Sequence, residues 1–376
     1  PPGAAAPKTT HPSVQLIDAF NASQTAVKVI SRTDSSDYSV VLQKTQAELA
    51  AGDAPALVTV PWAFINWASE GLGLIGLEDA LTTDQVKTVF SNLRDEVIPL
   101  VTLNGKTMGV PFAFSTPVFY ANKDILDKAG VKVEDVLATW EGFIDAAKPI
   151  QESNDGLPVL ALMGRWPSQG IIQSNGGRVL DDNGEFQVTA PEAIAAMQAI
   201  QDITLADLKV QGTAPEQSQA FIGGSVPIYH ASIASLSSIR SQVQFNFEVA
   251  SFPKFGDKKR WMSCGGSFIG MFAQDPEQQQ AAFEFEKFAL SEPGYTIWAQ
   301  VGYMNATKFD IPILPGQEPA YVQLTEGINA ETPWPGARGG EIADVWDGFV
   351  NRIWDNDISA DEGAKEALDQ MNEIRG

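Results

Sequence analysis

Short apolar runs alternate with helical stretches along nearly the whole chain, and no Pro/Gly/Ser-rich linker interrupts the series. This alternation is the strongest constraint on the fold. Strands separated by helices build an α/β architecture, with largely parallel sheets expected. At ~100–200 residues per domain, 376 residues suggest two or three domains. Domains without a linker must be interleaved, with the chain crossing between them more than once.

Local signals place the elements. Ser13–Asn21 reads as a helix, with Val14, Leu16, Ile17 and Phe20 on its apolar side. Thr25–Thr33 alternates Val27 and Val29 and reads as a strand. Asp37–Ala51 is helical, with an N-cap offered by Asp34, Ser35 and Ser36 and a stop at Gly52. Ala56–Val60, Thr107–Pro111, Pro117–Asn122, Leu157–Leu162, Val226–His230, Phe245–Phe252 and Ser267–Phe272 read as strands. Trp62–Glu70, Trp140–Gln151, Pro191–Ala206, Pro276–Leu290, Glu341–Asp355 and Asp361–Ile374 read as helices. Pro191 suits a first helical turn, where its missing N–H costs nothing.

Composition removes several function classes. The chain carries 25 Lys+Arg against 47 Asp+Glu, a net charge of −22. A nucleic-acid binder needs a basic surface to displace counterions, and an anionic membrane surface would repel this chain. One cysteine, Cys264, excludes an intrachain disulfide framework. The two histidines, His11 and His230, are far apart, and no acidic calcium-loop motif is present. Neither histidine adjoins a nucleophile-elbow motif. No run of 18 apolar residues could span a bilayer. PPGAAAPKTT lacks a cationic segment followed by an apolar one, so an export signal is either absent or already removed.

Several segments, in order, resemble the extracellular solute-binding proteins of ABC importers, and within them the maltodextrin-type group. They are GVPFAFSTPVFYANKDILDKAG (Gly109–Gly130), TWEGFIDAAKPI (Thr139–Ile150), SNGGRVLDDNG (Ser174–Gly184), GGSFIGMF (Gly265–Phe272) and QQAAFEFEKFALSEPGYTIWAQVGYMNAT (Gln279–Thr307), with a C-terminal helical pair after them. The family usually opens with a strand, whereas PPGAAAPKTTHP leads straight into the first helix here. The resemblance implies a two-lobe periplasmic-binding-protein fold of class α/β, with interleaved lobes and a hinge. Lobe one would be residues 1–110 and 267–310, and lobe two 114–264 and 315–376. Crossovers are expected near Val110–Pro117, Ser263–Gly266 and Phe309–Pro315.

Among its members the chain is most similar to those that capture sn-glycerol 3-phosphate. The resemblance then implies a phosphate held by Ser115, by Ser232 with Ser235 as a second candidate, by Gly266 of the Gly265–Gly266 pair, by Tyr303 and by Arg338. Tyr38 and Trp166 match residues that contact the rest of the ligand, and Trp62 is a further cleft candidate. The acidic residue expected at the polyol end falls at Pro61–Trp62, where no carboxylate stands. The chemistry is coherent on its own terms. A phosphoryl group taken from water needs several donors, and an arginine fork suits its geometry.

The implied function is capture of a small phosphorylated polyol, sn-glycerol 3-phosphate or a glycerophosphodiester, for delivery to permease and ATPase subunits. No catalysis, cofactor, metal or nucleic acid is implied, and a monomer outside the cytoplasmic membrane is expected. Three alternatives stay open, one of them a sensor subunit that docks on a signalling receptor. An importer subunit for a mono- or oligosaccharide would use the same tryptophans as stacking platforms, nine tryptophans being many for such a chain. A glycosidase or phosphatase would need an acid/base motif, and none is recognisable.

Overall fold

A computed structural model of the chain describes residues 11–32, 38–181, 183–327, 329–330 and 333–376. The N-terminal lead-in and the N-cap expected at Asp34, Ser35 and Ser36 lie outside the described residues. The strands, in chain order, are β1 (Leu57–Pro61), β2 (Thr102–Leu103), β3 (Lys106–Thr107), β4 (Val110–Ser115), β5 (Pro117–Asn122), β6 (Leu160–Ala161), β7 (Ile228–Ser232), β8 (Phe247–Ala250), β9 (Ser263–Met271) and β10 (Asn329–Ala330).

They form two main sheets. In the first, β9 is central, pairing with β1, β4 and β10. The second has the order β6-β7-β5-β8. β4 ends at Ser115 and β5 begins at Pro117, so the single residue Thr116 carries the chain from one sheet to the other. β9 carries it back, and helix Glu318–Thr325 then packs against β5 and β8. Gln323, 1% exposed, bolts this crossing: its Nε2 donates to Thr116 Oγ1 (2.7 Å) and Pro117 O (2.9 Å), and its Oε1 accepts from Phe252 N (3.0 Å).

Two expectations need correction. The sheets are mainly antiparallel: β1–β9, β4–β9, β5–β7 and β5–β8 all run antiparallel, while β10–β9 and β6–β7 are parallel. The reason lies in the crossings. A chain that leaves along one strand and returns along its neighbour runs antiparallel to itself, as β4 and β9 do. The strand expected at Thr25–Thr33 is also absent over residues 24–32. Its alternation is real, since Val27 and Val29 pack on the core. Yet side chains satisfy its backbone instead of a neighbouring strand. Asn21 bonds both N–H and C=O of Val29 (2.8 and 2.9 Å), and Gln24 does the same for Val27 (2.8 and 2.6 Å).

The helices follow their local chemistry. Asp275 caps helix Pro276–Ala289 by accepting from Glu277 N and Gln278 N. Helix Gly339–Trp354 buries Ile342, Ala343, Trp346, Phe349, Val350 and Ile353, a stripe at helical spacing. Its partners are helices Ala360–Arg375, Pro191–Leu205 and Arg165–Ser174.

Candidate functional site

The seam between the sheets is floored by Gly265, Gly266 and Ser267 of β9. Gly266 has φ +114°, and a Cβ there would lie 2.0 Å from Ala113 O, so only glycine fits. A register irregularity between Pro111 and Ala113 sits opposite, where β4 bends. Ser115, 2% exposed, lies across from Gly265, and Pro117, two residues on, lies across from Ser232. These pairings set Ser115 and Ser232 beside the same crossing, one from each sheet. Ser232 caps the turn after it by accepting from Ala234 N (3.2 Å).

Two phenols complete this group. Tyr38, at the start of helix Tyr38–Ala51, donates to Ser267 Oγ (3.2 Å) and lies beside Tyr303. Tyr303 stacks on Trp298 at 5.1 Å with rings 13° from parallel. Burial, reinforced by Tyr38, pushes the Tyr303 phenol well above its ordinary range, so it stays protonated and able to donate. Its neighbours tie the loop to both strands: Met304 N donates to Phe114 O (2.7 Å), and Gly302 abuts the carbonyl of Ala234. Tyr38, Ser115, Ser232, Gly266 and Tyr303 are thus brought together from distant parts of the sequence.

The remaining expected residues fare differently. Trp166 is half-buried and lies over Gly265, where a Cβ would come 2.2 Å from its ring. Trp62 is 1% exposed and packs on Phe268 (ring centroids 6.0 Å), a core position. Ser235 is half-buried and makes no side-chain cap. Arg338 does not join the group. Its Nε donates to Glu341 Oε1 (2.9 Å), Nη2 to Glu341 Oε2 (2.5 Å) and Nη1 to Ile374 O (3.3 Å), and its side chain is 55% exposed. A carboxylate three residues on, in the same helical turn, takes both arms of the fork.

Residue types that the motif reading passed over line the same seam. Arg165 opens helix Arg165–Ser174 after Gly164, whose φ is +95°. Its guanidinium carbon lies 5.2 Å from the centre of the Phe64 ring, and its Nε is covered without a hydrogen-bond partner. His230 on β7 lies 6.1 Å, ring to ring, from Trp166. Its Nε2 is covered and unpartnered, and burial lowers its pKa to about 3, so the imidazole is neutral. The sequence trace of this wall was Gly-Arg-Trp-Pro, a sharp turn presenting an arginine beside a tryptophan. Among the described residues, no group of three or more His, Cys, Asp or Glu could hold a metal ion. The seam presents hydroxyls, ring faces and one guanidinium.

Comparison with known proteins gives a consistent picture. A family described as bacterial extracellular solute-binding protein matches residues 15–309. The sn-glycerol-3-phosphate-binding periplasmic protein UgpB of Pectobacterium atrosepticum is 24% identical, covering 96% of this chain and 87% of its own. UgpB from Mycobacterium tuberculosis, solved in complex with glycerophosphocholine, superposes with TM-score 0.85 at 21% identity, over 96% of this chain and 94% of that one. Lmo0181, an ABC substrate-binding protein from Listeria monocytogenes solved with cycloalternan, gives 0.83 at 20% identity, over 98% and 96%. These solved proteins share the two-lobe α/β fold with this chain.

Proposed function

Because the chain belongs to the bacterial extracellular solute-binding protein family, the non-enzymatic solute-capturing component of ABC importers, we propose that its ligand is a small phosphorylated polyol. The ligand class is that of sn-glycerol 3-phosphate and the glycerophosphodiesters. What supports this reading is the neighbourhood of Ser115, Ser232, Tyr38 and Tyr303 around the crossing beside Gly265, Gly266 and Ser267. Several hydroxyl donors around one point match the needs of a phosphoryl group, whose oxygens must each be re-bonded when they leave water.

In this reading the two lobes are residues 1–110 with 267–310, and residues 114–264 with 315–376. Closure about the crossings at Thr116 and Gly265–Gly266 buries the ligand, and the permease reads the closed form. A ligand bonded from both sides binds the closed state better and so shifts the population towards it. The names of the UgpB relatives support the phosphate.

One observation favours a second reading, a neutral sugar. Arg338 is held by Glu341, and the half-buried Trp166 lays its ring over Gly265 as a stacking face. Calorimetric titration separates the two. On the phosphate reading, sn-glycerol 3-phosphate binds at least about a hundredfold more tightly than glycerol, a difference of roughly 2.7 kcal/mol. Tight binding of maltose with no preference for the phosphorylated probe replaces it with the sugar reading.

A further inference from the structure

Burial without a partner has a chemical remedy for most titratable groups, because they can change protonation state. Two buried groups of this chain take that remedy. His230 sheds its proton, and Glu286, with both carboxyl oxygens covered and unpartnered, keeps its own. An arginine cannot do this at any ordinary pH, so a covered guanidinium requires an acceptor or an anion.

Arg165 meets that condition at one nitrogen: the side chain is half-buried and its Nε is covered without a partner. Its backbone is pinned to helix Gly339–Trp354: Arg165 N donates to Asp347 Oδ1 (2.7 Å), and Gly164 N to Asn351 Oδ1 (3.0 Å). Asp347 Oδ2 in turn accepts from Asn351 (3.3 Å), so this carboxylate is occupied with orienting the turn. From that anchor the side chain runs to the face of Phe64, just beyond β1 of the other sheet. Phe64 is itself fixed, 1% exposed and edge-to-face with Trp67 at 5.5 Å. The ring face offers a weak attraction to the cation but accepts no strong hydrogen bond. Among the described residues Arg165 makes no ion pair, and its Nε has no partner.

The neighbourhood of Arg165 is equally under-bonded. Trp166, the next residue, lies on Gly265, and its Nε1 is covered without a partner. His230 Nε2, beside Trp166, is in the same condition. Arg165 Nε and two neutral ring nitrogens, all covered and all without partners, thus lie along one wall of the seam, with the Trp166 ring on the β9 floor at Gly265. Buried polar groups left unmade are rare and costly, and three in one wall point to a ligand that completes them.

We propose that Arg165 is the anion-binding residue of this cleft, its guanidinium donating to a phosphoryl oxygen of the ligand while Trp166 Nε1 and His230 Nε2 bond the neutral oxygens beside it. The inference rests on the reading of the seam as a cleft for phosphorylated ligands, and it names a cation that the motif comparison did not. It also supplies a closing device, because Arg165 is anchored on one lobe and lies against Phe64 of the other.

Titration of the full chain and of Arg165→Met and Arg165→Lys with sn-glycerol 3-phosphate, glycerophosphocholine and maltose tests it. Arg165→Met is expected to weaken both phosphorylated probes by about a hundredfold or more. Arg165→Lys, which keeps the charge but loses the fork, is expected to weaken them roughly tenfold. The ligand-free melting temperature should stay within about 3 °C of the wild type in both, which separates a binding role from a structural one. Equal affinity of Arg165→Met and wild type for the phosphorylated probes overturns the assignment and leaves the proposed ligand class standing. A fall in the ligand-free melting temperature well beyond that range, with all probes weakened alike, overturns it too. Binding of maltose by the wild type, with neither phosphorylated probe bound, ends the proposed ligand class and the assignment together.

Discussion

Arg338 and Arg165 each stand at the N-terminal end of a helix beside a glycine, yet the fold treats them in opposite ways. Arg338 is exposed and its fork is closed on Glu341. Arg165 is half-buried, lies on an aromatic ring and has no anion. The difference lies in the first helical turn downstream of each arginine. Glu341 comes three positions after Arg338, where side chains meet on a helix surface. After Arg165 come Trp, Pro, Ser and Gln, and the acid that does approach, Asp347, is used by the Arg165 backbone. A surface arginine that neutralises itself locally has nothing left for a ligand, whereas a half-buried arginine without an acid has a free fork.

The comparison depends on the β9 floor being rigid, and its largest test is therefore Gly266→Ala. The new methyl would sit 2.0 Å from Ala113 O at a φ of +114° that alanine rarely adopts. Either β4 moves or the strand twists, and a stability loss of about 3 kcal/mol or more is expected, read by chemical denaturation. Ligand binding should be lost with it, because Ser115 and Ser267 are positioned through this strand. A variant of wild-type stability would show that the crossing is plastic and that the contacts of the Arg165 wall with it are not fixed.

Glu286 sharpens the comparison from the other side, as a covered acid that has a proton to keep. It is fully buried in helix Pro276–Ala289, and burial raises its pKa from the usual 4.5 to about 8. The folded state then holds a proton that the unfolded state releases between those values. Stability contributed by this proton is present below about pH 4.5 and is lost as pH rises towards 8, at up to roughly 1.4 kcal/mol per pH unit. Glu286→Gln should remove that slope and be more stable than wild type at pH 8 by a few kcal/mol, with little difference at pH 4.5. Parallel pH–stability curves for the two proteins would mean that the carboxyl is ionised and paired after all.

How much of this was legible in the sequence varies with range. Capping residues and helical stripes act over a few positions, so helix Pro276–Ala289 and its Asp275 cap could be read directly. The same stripe places Glu286 inside, three residues after Phe283 and four after Ala282, although the phenylalanines draw the eye first. The 24–32 segment misled because period-two alternation reports which side chains are buried, not which groups satisfy the backbone. Strand direction misled because alternation of elements does not record which strands are neighbours. For the site, Ser115 on β4, Ser232 on β7 and Gly266 on β9 could be named from motifs in order. The role of arginine could not, because only three-dimensional placement reveals whether a fork is already taken.

The smallest expected effect falls on Arg338 itself. Its bonds to Glu341 lie at the surface, where solvent screens the pair and long side chains lose entropy by meeting. Glu341 holds the guanidinium more basic than usual, and Arg338 in turn holds that carboxyl below its ordinary range, a mutual stabilisation of charge that needs no ligand. Arg338→Met should therefore leave the melting temperature within experimental scatter and the affinity for sn-glycerol 3-phosphate within about threefold, or 0.7 kcal/mol. The contact with Ile374 O is the one feature that reaches beyond the local turn, and its loss should show only as faster amide exchange at the end of the last helix. An affinity loss of more than about tenfold would break the comparison, because it would mean that the fork leaves Glu341 for the ligand when the lobes close. In that event Glu341→Gln should tighten binding, since it frees the fork in advance. If Glu341→Gln and Arg338→Met are both silent, the two arginines are divided as their surroundings indicate, one belonging to the surface and one to the cleft.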